Sequence, residues 1–169
     1  MRTTLVIAIL VITVSLLVAG NPPEGKSSPS FDKLKSLTGT WKGKDNDGKP
    51  VTISYKVVSA GSSIMETLDM GENEQAMVTM YHLDGNRLMM THYCSMGNQP
   101  RMRAKNMAKD GKTLGFAFVD ATNMSSSKDS HMHSLAFTFK DDDHFVQEWT
   151  MWKDGKTEHT ATFEFERAK

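Results

Sequence analysis

Four Asp-Gly pairs recur along the chain, at Asp47-Gly48, Asp84-Gly85, Asp110-Gly111 and Asp154-Gly155. Each pair lies between stretches that alternate apolar and polar residues or are rich in β-branched ones. Asp-Gly tolerates the positive φ values of a type I′ turn, so each pair predicts a β-hairpin. No long amphipathic stretch separates these segments, which argues against parallel βαβ units. The sequence therefore predicts an antiparallel meander.

The pattern predicts ten strands, at residues 39–45, 50–58, 62–69, 75–82, 87–94, 101–108, 113–120, 130–139, 143–152 and 157–166. A meander of this length removes its exposed edges by closing into a barrel, and eight or more strands leave room inside for a small ligand. Before the first strand, Ser30 is expected to cap a short helix whose Phe31, Leu34 and Leu37 share one face. The predicted fold is an all-β, up-and-down barrel of about ten strands, with this helix covering one end.

The 169 residues divide into three parts. Residues 1–20 predict a cleaved signal peptide, because Arg2 precedes an apolar run that ends in small residues. A retained anchor is the alternative, although the run is shorter than the ~20 apolar residues of a spanning helix. Residues 21–30 are expected to be a linker and 31–169 a single β-barrel domain. We therefore expect an exported protein, periplasmic or secreted, with no stable membrane insertion after cleavage.

The charge of the chain argues against one class of partner. The sequence has 20 basic and 20 acidic residues, interspersed, and a formal net charge of zero. A nucleic-acid-binding protein concentrates basic residues on one face, so we expect no nucleic-acid partner.

Alternation along the strands predicts the residues that face the interior. In the strand 130–139, the bulkier face is placed inside, and it carries His131, His133, Leu135, Phe137 and Phe139. Across the Asp84-Gly85 turn, one face is expected to hold Met77, Thr79, Tyr81, Leu88, Met90, His92 and Cys94.

The last hairpin, if its turn is Asp154-Gly155, pairs Trp152 with Thr157 and Glu148 with Ala161. This register places Glu148, Trp152, His159 and Phe163 inside and leaves Phe145 and Trp149 outside. A buried carboxylate is costly unless it is paired, so Glu148 suggests a functional site.

Our leading hypothesis is a binding protein that holds a small apolar or amphipathic molecule inside the barrel. The predicted ligand-binding residues are Tyr81, Met90, His133, Leu135, Phe137, Phe139, Glu148, Trp152, His159 and Phe163.

Three other hypotheses stay open. Haem or a metal ion bound by an interior histidine is the first, with His92, His131 and His133 as metal candidates, because i and i+2 side chains on a strand can converge. An enzyme that uses Glu148 and His159 as acid and base is the second. A structural or interaction domain with a filled core is the third.

Two stretches resemble known proteins. Leu37-Thr-Gly-Thr-Trp-Lys-Gly43 resembles the Gly-x-Trp-x-Gly opening strand of calycin-type barrels, which include lipocalins, fatty-acid-binding proteins and nitrobindin-like haem barrels. The stretch from Met77 to Arg103 resembles uncharacterised exported bacterial proteins with a lipocalin-like domain. The resemblance implies a ten-stranded barrel with Trp41 packed beside the first helix. Its nitrobindin-like branch implies a haem-ligating histidine, which His92, His131, His133 or His159 would supply.

Overall fold

The structure is a computed structural model that describes residues 27–71 and 74–169. The predicted signal peptide and residues 21–26 of the predicted linker lie outside the described residues. The elements are α1 (Pro29–Lys35), β1 (Gly39–Lys44), β2 (Pro50–Val58), a 3₁₀ turn (Ser59–Gly61), β3 (Ser63–Asp69), β4 (Met77–Asp84), β5 (Arg87–Tyr93), β6 (Gln99–Ala104), β7 (Thr113–Thr122), β8 (His131–Phe139), β9 (His144–Lys153) and β10 (Lys156–Arg167).

The strands form a closed antiparallel barrel in which each strand pairs with its neighbours in the chain and β10 pairs with β1. This confirms the predicted ten-stranded, all-β fold. The closing pair is short, with residues 41–44 of β1 opposite residues 164–167 of β10. A Cβ atom at Gly43 would meet the carbonyl oxygen of Glu164 and the ring of Phe165, so glycine permits this close approach. The prediction for β6 was wrong in its bounds, since the strand ends four residues before residue 108.

Of the four Asp-Gly pairs, Asp154-Gly155 forms the predicted two-residue turn. Its residues have φ values of +54° and +76°, and Lys153 pairs directly with Lys156. Both central residues of a type I′ turn need positive φ, which this dipeptide accepts. The Asp84-Gly85 turn is shifted by one residue, because Asp84 itself pairs with Arg87.

The helix α1 closes one end of the barrel. The Ser28 hydroxyl caps it by accepting a hydrogen bond from the backbone N–H of Phe31 at 3.3 Å, so the cap lies two residues before the predicted Ser30. Phe31 and Leu34 are fully buried. Trp41 is also buried, and its indole N–H donates to the carbonyl of Leu37 at 2.7 Å. This packing is the arrangement that the calycin resemblance implies for the opening strand.

The predicted register of the last hairpin is wrong beyond its second pair. Trp152 opposes Thr157 as predicted, but a bulge at Glu158 makes His159 oppose Met151. The one-residue shift reverses the predicted faces of β9, while Phe163 on β10 stays inside as predicted. Phe145 and Trp149 are therefore buried, at 1% and 2% exposure, where the prediction placed them outside.

Candidate functional site

The structure places most of the predicted apolar site residues in the interior, where they form part of one core. They are Tyr81, Met90, Leu135, Phe137, Phe139 and Phe163. Edge-to-face ring contacts join several of them, such as Tyr81 and Phe137 at 6.3 Å between ring centroids. Their role in binding a ligand stays a prediction.

Two predicted polar residues do not reach this interior. Glu148 and His159 are both exposed, so the prediction of an interior carboxylate at Glu148 is wrong. Glu148 opposes Thr162 and His159 opposes Met151, and the two side chains are not paired across the hairpin. The bulge at Glu158 is the physical cause for Glu148, because it shifts the register of β9 against β10, whereas His159 lies in the exposed segment next to the hairpin turn. The acid and base hypothesis built on these residues is therefore withdrawn.

Two further residues of the predicted binding site, His133 and Trp152, lie at the rim of the barrel. Together with Phe118 and His131 they form a group that we call the rim cluster. His133 stacks on Trp152 with 3.7 Å between ring centroids, and it is half-buried. A nitrogen of the buried His131 lies 3.0 Å from a nitrogen of His133. A second bulge at His133 interrupts the alternation that placed both histidines in the barrel interior.

A row of polar side chains crosses the interior at one level. Tyr55 on β2 opposes Glu66 on β3, Glu66 opposes Thr79 on β4, and Thr79 opposes His92 on β5. Gln147 reaches this row from β9 on the opposite wall. We call these five residues the polar layer. All five are at most 2% exposed.

Glu66 is the centre of the polar layer. Its carboxylate accepts hydrogen bonds from the Tyr81 hydroxyl at 2.7 Å and from the Gln147 amide at 2.9 Å. Burial raises the pKa of Glu66, and the hydrogen bonds from its neighbours oppose this rise. Burial, and then the nearby Glu66 carboxylate, raise the pKa values of Tyr55 and Tyr81 well above 10.0, so both phenols keep their protons.

Gln147 joins the polar layer to the aromatic core. Both of its N–H groups are used, one toward the Tyr55 hydroxyl at 2.8 Å and one toward Glu66. Its carbonyl oxygen accepts a hydrogen bond from the Trp149 indole at 3.0 Å. This ordering fixes the orientation of the amide, because every donor and acceptor has one matching partner.

His92 has one nitrogen bound and one without a partner. Its Nδ1 lies 3.0 Å from the Thr79 hydroxyl oxygen. Nε2, on the other side of the ring, has no hydrogen-bond partner among the described residues. Burial lowers the pKa of His92 from 6.5 to about 4, so the ring is neutral at pH 7.

Above the polar layer, at the end opposite α1, the interior is lined by three methionines, Met77, Met132 and Met151. Met77 precedes Thr79 by one inward position on β4, and Met132 opposes Met151 across β8 and β9. Met77 and Met132 are half-buried and pack against the core. We call these three side chains the methionine mouth. Methionine is flexible and adapts to varied apolar contacts, so this end can rearrange around a ligand.

The sequence prediction missed Glu66, Tyr55 and Gln147. A signal for Glu66 was present, because Ile64, Glu66 and Leu68 share one face of β3 and place a carboxylate between two buried apolar residues. Gln147 had no such signal, since the predicted register put it on the outer face. Its partner Glu66 is 81 residues away in the chain.

The surroundings of His92 do not fit a haem iron. Among the described residues, His92 supplies the buried imidazole nitrogen with no protein partner, which suits an iron ligand. The ring of Trp149, however, packs against this imidazole with 4.6 Å between centroids, and Nε2 is closed off from water. No haem-sized space therefore borders this nitrogen. Within residues 27–71 and 74–169, no three His, Cys, Asp or Glu side chains lie together as metal ligands.

No protein-family model matches the sequence, and no curated protein does. Two solved structures share the fold. A protein of unknown function from the DUF3598 family of Nostoc punctiforme is 12% identical with a TM-score of 0.51; the match covers 80% of this chain and 49% of that one. Rv2717c from M. tuberculosis is 11% identical with a TM-score of 0.55, over 85% of this chain and 100% of that one. This chain thus spans about half the length of the first.

At these identities the two structures support the barrel fold alone. In the part of the chain that the structure describes, no helix has the length and apolar character to cross a membrane.

Proposed function

We propose that this chain is an exported binding protein of the calycin type, which holds a small apolar or amphipathic molecule in the methionine mouth, above the polar layer. Binding sites of this class combine apolar walls with a few polar groups that orient the ligand. The methionine mouth supplies adaptable apolar contact. The polar layer lies directly beneath it, because Thr79 is one inward position from Met77 on β4 and opposes His92 on β5.

The observation that carries this proposal is the incomplete hydrogen bonding of the interior. A barrel whose core only stabilises the fold is expected to satisfy its buried polar groups or to replace them with apolar ones. Here Glu66, Tyr55, Tyr81 and Gln147 satisfy one another, whereas Nε2 of His92 has no partner among the described residues. A buried polar nitrogen without a partner beneath an adaptable apolar opening favours ligand binding over a filled structural core.

Two measurements test the proposal. Native mass spectrometry of the protein purified from its own host should detect a bound small molecule. Tryptophan fluorescence should change on titration with octanamide, because Trp149 lies against His92 beneath the mouth.

Two variants on β4 give a matched comparison. Met77→Glu places a charge in the mouth and should weaken binding about tenfold or more, since the charge must be desolvated beside the ligand. Met80→Glu alters a half-buried methionine on the outward face of the same strand and should leave binding unchanged. No bound molecule and no response to octanamide would overturn the proposal, as would equal loss in both variants.

Export is tested on the mature protein. The sequence proposal is that cleavage follows Gly20, so the N-terminus of the protein recovered from the host should be Asn21. Recovery of an intact Met1 in the membrane fraction would support the anchor alternative instead.

A further inference from the structure

His131 and His133 bring two imidazole nitrogens together at the rim of the barrel. Nε2 of His131 lies 3.0 Å from Nδ1 of His133. The His131 side chain is buried, whereas His133 is half-buried. The pair therefore lies at the boundary between the barrel interior and solvent.

The backbone fixes which nitrogen of His131 carries a proton. Nδ1 of His131 lies 2.7 Å from the carbonyl oxygen of Asp129. A carbonyl oxygen only accepts hydrogen bonds, so Nδ1 donates and Nε2 of the neutral ring carries a lone pair. That lone pair faces Nδ1 of His133. Metal-binding histidines have the same arrangement, in which the second ring nitrogen donates to a carbonyl and fixes the ring.

Hydrogen bonds hold the backbone segment that leads into His131. The Asp129 carboxylate accepts from the backbone N–H groups of Ser125 and Ser126, at 2.7 and 3.1 Å. The Asn98 amide donates to the Ser130 carbonyl at 2.8 Å. This segment is thus tied both to its own loop and to the turn between β5 and β6. Fixed ligand positions favour binding, because less freedom is lost when an ion is bound.

Two aromatic rings stack on His133. The Trp152 ring lies 3.7 Å from the imidazole between ring centroids, at an interplanar angle of 6°. The Phe118 ring lies 5.0 Å away, at 18°. Stacking limits the tilt of the imidazole but lets it turn within its own plane, so its nitrogens stay directed along that plane.

The spacing of the two rings fits one tetrahedral ion. Two imidazoles on a zinc ion, with Zn–N bonds of about 2.0–2.1 Å, place their nitrogens about 3.3 Å and their ring centroids about 5.2 Å apart. In this structure the same distances are 3.0 Å and 5.2 Å. The rings therefore have to turn toward a common point, but they do not have to move apart.

We propose that His131 and His133 bind a divalent transition-metal ion of the zinc type, through Nε2 of His131 and Nδ1 of His133. Imidazole nitrogen is a preferred ligand of Zn²⁺. The ion takes the place of the proton between the two nitrogens, and this proton moves to Nε2 of His133, so both rings stay neutral. Within the described part of the chain no third His, Cys, Asp or Glu joins the pair, so water or an external ligand completes the coordination.

This ion site goes beyond the proposed function and does not depend on it. The rim cluster holds the ion, whereas the methionine mouth and the polar layer hold the small molecule. Zinc binding and octanamide binding are separate measurements, so either can fail while the other stands.

Zinc titration of the mature protein, freed of metal with EDTA and dialysed, tests the site. Calorimetry at pH 7.5 should show one Zn²⁺ bound per chain. His133→Phe and His131→Phe should each weaken binding at least about tenfold, since each removes one of the two ligands.

Long-range ¹H–¹⁵N NMR of the imidazoles gives a readout that a structural role alone would not move. Without metal, both His131 and His133 should carry their proton on Nδ1. With Zn²⁺, His133 should change to the tautomer with its proton on Nε2, while His131 keeps its proton on Nδ1.

His159→Gln is the matched control, because it removes an exposed histidine from β10 and should keep the zinc affinity of the wild type. Circular dichroism checks folding. His133→Phe decides the result if His131→Phe does not fold, because a phenyl ring can keep the stacking on Trp152. The site is refuted if the wild type binds no Zn²⁺, if His133→Phe binds it as tightly as the wild type, or if His133 keeps its tautomer when Zn²⁺ is bound.

Discussion

Acidification should destabilise the wild-type protein more than a variant without the buried imidazole at position 92. Below pH 6.5 the unfolded chain takes up a proton on His92 that the folded chain cannot accept until about pH 4. This contribution to stability is therefore complete above 6.5 and is lost as the pH falls toward 4. The gap between 6.5 and about 4 corresponds to about 3 kcal/mol of unfolding free energy.

The assay is urea unfolding at pH 7, 6, 5 and 4, followed by tryptophan fluorescence, for the wild type and His92→Phe. Glu66 contributes in the opposite direction, because burial raises its pKa and acidification then favours the folded state. Glu66 is present in both the wild type and His92→Phe, so its contribution largely cancels when their free energies of unfolding are subtracted. The wild type should lose about 3 kcal/mol more than His92→Phe between pH 7 and pH 4.

A control substitution separates burial from the loss of any histidine. His159→Gln removes an exposed histidine from β10, and the same unfolding series on this variant shows how much of the difference follows from removing any histidine. At pH 7, His92→Phe loses the hydrogen bond between Nδ1 and Thr79 as well as the unpartnered nitrogen, so the stability of each protein is compared with its own value at pH 7. If the curves of the wild type and His92→Phe stay parallel within about 1 kcal/mol down to pH 4, His92 is not buried in the native protein and the reasoning is refuted.

Three further results are expected. Tyr81→Phe removes a hydrogen bond to the buried Glu66 and should lower the free energy of unfolding by about 2 kcal/mol in urea titrations. Tyr93→Phe is the control, because its ring is exposed, and it should change this free energy by less than about 0.5 kcal/mol. Gly43→Ala should cost about 3 kcal/mol or prevent closure of the barrel, because the new methyl group meets the carbonyl of Glu164; unchanged thermal unfolding would contradict that geometry. Hemin added to the wild type and to His92→Phe should give the same absorbance spectrum, because the buried imidazole has no open face, and a Soret shift that depends on His92 would show that the interior rearranges.

The strands themselves were predictable, because the signals that define them are local. Each strand spans a few residues with a period of two, and glycine after aspartate marks several of the turns. The faces of β4 and β5 were predictable for the same reason: Thr79 and His92 share the inward face as the alternation predicts, although the shifted turn makes them direct partners. Among the polar residues of the candidate site, only those on β4 and β5 were predicted on the correct face.

The last hairpin shows where local reasoning fails. The predicted and the observed register are both compatible with the Asp154-Gly155 turn. Which of them forms depends on which side chains of β9 can be buried against the strands across the barrel. The predicted register would bury Glu148 and expose Trp149. The bulge at Glu158 reverses this, because burying an indole is favourable and leaving a carboxylate in water avoids its desolvation.

The sequence by itself determined an antiparallel, ten-stranded barrel with a capping helix, since turn residues and alternation act over neighbouring positions. Only the tertiary structure decided which polar groups meet inside. Glu66 and Gln147 are 81 residues apart, and no local pattern relates them until the barrel closes and sets two distant walls face to face. The unpartnered nitrogen of His92 is likewise a property of the closed interior, because it depends on what every surrounding strand does and does not offer.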